Sequence, residues 1–146
     1  MTIQAWVEAG WLRRHDTRAD EVHHLWAVLM GDLRDAARAD LAAAVRFEHA
    51  YNAALKACLV VLYAEGLRVG SVKDVHHTII RSLPLVLGNT HAVTADYLDA
   101  CRERRDHPGA GSFPDEDAEA LRETADRVSR EVRAWLARRH PAFAIH

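Results

Sequence analysis

The sequence predicts an all-α fold, an antiparallel up-and-down bundle of about five helices in one domain spanning residues 1–146. Three observations carry this. Long stretches place apolar residues at steps of three and four, the period of a helix with one buried face. No segment alternates convincingly with the period of two that a strand needs. Connections are short apart from the one at 107–114, and short connections make antiparallel neighbours. The chain is 49% hydrophobic and 27% charged, which suits a globular core built without disulfides or metal. Neither a repeat nor a low-complexity tract interrupts it.

A short amphipathic start at 2–12, with Ile3, Trp6 and Val7, runs into a polar bend at 13–16. The second helix, about 17–38, buries Val22, Leu25, Trp26, Leu29 and Leu33. The third, about 40–65, is the longest, and Gly66 ends it as a C-terminal glycine should. The fourth, about 73–87, carries Val75, Ile79, Leu83 and Val86, with Pro84 set to kink or break it. Asn89 or Thr90 would cap the fifth, which ends near Asp106. The last, about 115–139, has the cleanest stripe: Ala118, Leu121, Ala125, Val128, Val132 and Trp135. Pro114 opens it, acids 115–117 sit at its positive end, and Arg138 and Arg139 sit at its negative end.

The end of the fifth helix is where chemistry is expected. Val93, Tyr97, Leu98 and Cys101 lead into Arg102, Arg104, Arg105, Asp106 and His107 before a Pro/Gly loop. Arg105 continues the stripe of Leu98 and Cys101, so it points inward, where it needs a carboxylate, a phosphate or a wet cleft. On the third helix, Glu48 and Asn52 interrupt the stripe of Leu41, Val45, Leu55, Leu59 and Leu62. They form a buried polar pair facing something charged, or else mark a half-exposed edge. The sequence predicts Glu48 within salt-bridge reach of Arg104 or Arg105, Asn52 beside it and His107 at the rim. Breaking such a pair, if buried, costs about 3–5 kcal/mol.

Four segments together resemble the HEPN superfamily of small helical bundles found in prokaryotic toxin, defence and nucleotidyltransferase-partner proteins. They are the third-helix run 46–57, Ala64-Glu65-Gly66-Leu67-Arg68, His76-His77-Thr78, and the run 97–106. The order and spacing of the four carry the likeness, which covers roughly residues 40–135. It implies a metal-independent endoribonuclease of toxin–antitoxin or phage-defence type, with an arginine on the scissile phosphate and a histidine in acid/base catalysis. It further implies a cleft shared across a homodimer, with an antitoxin-like protein as a possible partner. The motif of arginine, polar residue and later histidine fits in two incompatible ways. Arg105-Asp106 has the pair, but Ala110, Gly111 and Ser112 stand where the histidine should follow; Phe113 could take its place, as an aromatic residue does in one branch. Arg102 with His107 has the interval, but Glu103 is an unusual neighbour. The candidate catalytic residues are therefore Arg102, Arg105, Asp106 and His107, supported by Glu48, Asn52, Arg104 and His77. The alternative is a non-catalytic bundle that binds a nucleotide or docks a partner protein.

Other chemistries find less support. The pairs His23-His24 and His76-His77 point about 100° apart on a helix and do not chelate, so neither a metal nor any other cofactor is expected. Gly109 and Gly111 lie between prolines and follow no strand, unlike a phosphate loop. Cys58 and Cys101 fall on apolar faces and read as small reduced hydrophobes. A net charge of −2 excludes nucleic-acid binding by bulk field and leaves only a local cluster. Arginines on the last helix interleave with acids as a solvated face. There is no run long enough to span a membrane and no basic-then-apolar leader, so a cytoplasmic protein is expected. Arginine supplies all but Lys56 and Lys73 of the 19 basic residues, a skew that suggests a GC-rich bacterial genome.

Overall fold

The computed structural model describes residues 1–107 and 113–146; the loop residues expected to follow His107 lie outside them. Helix α1 (Ile3–Glu8) is capped by Thr2, whose hydroxyl accepts the Ala5 amide at 3.2 Å. Helix α2 (Ala19–Ala36) begins where the Glu21 carboxylate accepts the Arg18 amide at 2.7 Å. Helix α3 (Ala43–Ala64) ends at Gly66, whose φ of +72° suits glycine. Helices α4 (Val75–Leu87), α5 (Ala92–Asp106) and α6 (Asp115–Arg139) complete the all-α bundle.

Strands β1 (Leu12–Arg14) and β2 (Leu67–Val69) pair antiparallel, with Leu12 opposite Val69 and Arg13 opposite Arg68. The sequence pattern predicts a helix through residue 12, a bend at 13–16 and no strand, and the structure differs on all three. Burial explains the ribbon: Leu12 and Leu67 are sealed against the core while Arg13 and Arg68 face outward. Three residues of period two are too few to register against a helical background.

Other boundaries shift for local reasons. Pro84 does not break α4, which runs three residues further until Gly88 (φ +113°) ends it. Asn89–His91 form a 3₁₀ turn before α5 instead of a side-chain cap. Val75 and Val93, expected on core stripes, are exposed at the first turns of α4 and α5.

Helix α3 is the hub, touching α2, α4, α5, α6 and β2. Its buried face is Phe47, Ala50, Tyr51, Ala54, Cys58 and Val61, with Ala53, Ala57 and Val60 also sealed. The stripe containing Glu48 and Asn52 is the half-exposed edge of α3. Burial raises the thiols of Cys58 and Cys101 to about 12 and about 11, keeping both protonated and inert.

Candidate functional site

Helices α3, α4 and α5 bring the charged residues together. Arg105 on α5 reaches across to α3, where its Nε donates to both Glu48 oxygens at 2.9 Å. Its guanidinium lies 5.1 Å from the centre of the Tyr51 ring, a cation–π contact. The pair is half-exposed, 29% for the Arg105 side chain and 42% for Glu48. Asn52 lies one turn further along α3, half-buried, and shares no hydrogen bond with the pair among the described residues. Arg104 turns the other way, to Asp117 at the start of α6, with Phe113 at 4.5 Å and Phe47 at 5.7 Å beneath its guanidinium. Phe113 therefore packs on Phe47, under Arg104 rather than beside Arg105.

The deeply placed arginine is Arg102, not Arg105. Only 9% exposed, it donates from Nε to Asp99 and from a terminal nitrogen to Asp74, both at 2.8 Å. Glu103 at 3.5 Å and Asp106 at 3.7 Å complete its surroundings. Asp106 also accepts from Arg105 at 3.2 Å, linking the two arginines through one carboxylate. His107 is exposed at the C-cap of α5, its amide bonded to the Glu103 carbonyl.

Residues that the sequence reading passed over complete the cluster. Asp74 caps α4 by accepting the His77 amide at 3.0 Å, and its other oxygen holds Arg102. The buried Asp99 accepts from Arg102, from Arg81 at 3.1 Å and from His77 at 3.0 Å. A carboxylate can only accept, so His77 donates to it from Nδ1. Burial alone pushes the Asp99 carboxyl up; hydrogen bonds from Arg102 and His77 outweigh it and hold the group below its usual range. Beside them, the Tyr51 phenol meets His76 Nδ1 at 3.1 Å. Burial raises the phenol and, with Arg105 nearby, lowers the imidazole, so Tyr51 donates to a neutral ring. Two spacings were readable in retrospect: an acid three residues before His77 at a helix start, and an acid three residues before Arg102.

Three guanidinium groups (Arg81, Arg102, Arg105) thus meet six carboxylates (Glu48, Asp74, Asp96, Asp99, Glu103, Asp106). Such a cluster is a fastening between helices and repels an added anion.

Next to it opens a groove of about 480 Å³, lined by Trp6, Trp11, Val72, Lys73, Asp74, His77, Thr78 and Arg81. The two indoles meet edge to face, with centroids 5.6 Å apart. Lys73 is exposed and makes no ion pair among the described residues. His77 belongs to both regions: Asp99 anchors it from behind and its outer face borders the groove.

Comparisons with protein-family models, characterised proteins and solved structures found no match to this chain. Among the described residues no group of three or more His, Cys, Asp or Glu side chains could hold a metal ion, and no helix is long and apolar enough to cross a membrane.

Proposed function

We propose that this chain is a HEPN-like, non-catalytic binding module that takes a nucleotide in the groove beside α4. One observation supports this reading over the ribonuclease. Arg102 and Arg105, the two arginines the catalytic motif would use, already spend their guanidinium groups on carboxylates. A scissile phosphate brought to them would meet Asp74, Asp99, Asp106 and Glu48 first. The groove offers the complementary chemistry: indole faces for a base, and Lys73, unpaired among the described residues, for a phosphate.

In a thermal-shift panel of nucleoside mono-, di- and triphosphates, at least one should stabilise the protein. Trp11→Ala and Lys73→Ala should each remove that shift. A metal-free RNA panel should show no cleavage by the wild type. Cleavage lost in both Arg102→Ala and His107→Ala would overturn the reading and restore the toxin-type ribonuclease. A cytoplasmic setting and a homodimer belong to the same reading through the family likeness. Light scattering tests the second, against a chain mass of 16.4 kDa.

A further inference from the structure

The β-ribbon carries an arrangement that its own stability does not explain. Arg13 and Arg68 are direct cross-strand partners, both exposed, and neither has a carboxylate in salt-bridge reach among the described residues. Like charges placed opposite each other weaken a strand pair. Ten other arginines have a neutralising acid, Arg102 and Arg105 among them, whereas Arg14, Arg34, Arg133, Arg138 and Arg139 share the lack of one among the described residues; what sets Arg13 and Arg68 apart is that they face each other across the ribbon.

The pair is continuous with the groove. The Gly70 amide donates to the Trp11 carbonyl at 2.8 Å, extending the ladder by one step. Side chains alternate along a strand, so Trp11 shares the outer face with Arg13, and Gly70 shares it with Arg68. Gly70 lets Arg13 lie close over the ribbon: a Cβ there would collide with the Gly10 carbonyl and come within 2.9 Å of Arg13 Cγ. Trp11 is itself 38% exposed, and Lys73 lies three residues beyond Gly70. One strip therefore holds an accessible indole, two facing guanidinium groups and an ammonium. Trp11 and Arg13, two residues apart, are separated by about 7 Å along the strand.

We infer that the groove and ribbon together bind a single-stranded oligonucleotide, with a base on Trp11 and neighbouring phosphates on Arg13, Arg68 and Lys73. This rests on the nucleotide-binding reading above and extends it from one nucleotide to several. Stacking on an indole tolerates any base, and paired arginines suit a run of phosphates better than a single one. Because the chain is acidic overall, the strip supplies the attraction locally.

The test compares uridine monophosphate with single-stranded oligouridylate and oligodeoxyuridylate of about ten nucleotides, using tryptophan fluorescence at several salt concentrations. At least one oligomer should bind tenfold or more tighter than the monophosphate. Its log–log salt slope should be near −2, from about −0.7 per phosphate contact. The double variant Arg13→Gln/Arg68→Gln should bind the oligomer no tighter than the monophosphate. Its melting temperature should not fall, since a repulsive pair has been removed; should it fall, charge reversal at Lys73 (Lys73→Glu) tests the same strip without touching the ribbon. Equal binding of monomer and oligomers would overturn the inference and leave the nucleotide reading standing. Displacement of the oligomer by polyglutamate would also overturn it, by showing a surface for any polyanion. No binding of either probe would end both.

Discussion

Replacing Arg102 with methionine would leave Asp99 and Asp74 without their shared cation, and Asp99 is buried. Removing one partner of a buried ion pair costs about 3–5 kcal/mol, and Arg102→Met should fall in that range by urea denaturation. Glu48→Ala should cost less than about 1 kcal/mol, because the pair it breaks is half in water. That reverses the weight the sequence reading gave to Glu48 and Arg105. Phase alone could not rank the arginines: Arg102 is four residues from Leu98 and Arg105 four from Cys101, so both continue an apolar stripe. The acids decide: Asp99 is met by Arg102 one turn further along α5 and by Arg81 and His77 from α4. The contact between Glu48 and Arg105 was legible because each interrupts or ends a stripe. The anchoring role of Asp74 was not, since an N-cap aspartate looks the same whether or not it also grips an arginine. Asp99 further links stability to pH. Its folded pKa lies below the usual 3.8, so its contribution is full above that value and is lost as pH falls through the depressed one. Urea midpoints should therefore drop below about pH 4, and more shallowly in Asp99→Asn than in the wild type.

At the scale of elements, the long helices were legible and the ribbon was not. Helices α2, α3 and α6 repeat their pattern over several turns, and every expected position on the α6 stripe is buried. The ribbon depends on contacts that no local pattern encodes. Leu12 and its partner Val69 are over fifty residues apart, and they pair because α3 turns back at Gly66 beside the end of α1. The Gly66 carbonyl accepts the His15 amide at 2.8 Å, which fixes that approach. Gly70 permits the other end of the ribbon to close. Gly70→Ala should destabilise the protein by about 1–3 kcal/mol, as overpacking does, because the clash is with a main-chain oxygen that cannot rotate away. A calorimetric melting temperature unchanged from the wild type would show that the ribbon closes more loosely than the geometry requires.

For the whole molecule, α3 sets how closely everything else can pack. Ala50, Ala53, Ala54 and Ala57 are each at most 1% exposed. Small side chains on a hub helix let the surrounding backbones come near. Which alanines lie inside depends on α3 being surrounded, a property of the assembled bundle. The stripe through Val45, Glu48 and Asn52 is instead a half-exposed edge, met at Glu48 by Arg105 from α5, while Leu62 at its far end is sealed. Ala57→Leu would force three extra carbons into a contact with no exposed surface to receive them. It should cost about 1–3 kcal/mol, while the same residue at the exposed Val45 (Val45→Leu) should change stability by less than about 0.5 kcal/mol. Since α3 also holds Tyr51 and Glu48 against α4 and α5, Ala57→Leu should loosen the charged cluster as well. Hydrogen exchange should then quicken in α4 and α5 at unchanged helical circular dichroism. Faster exchange confined to α3 would mean that the hub and the cluster are mechanically separate.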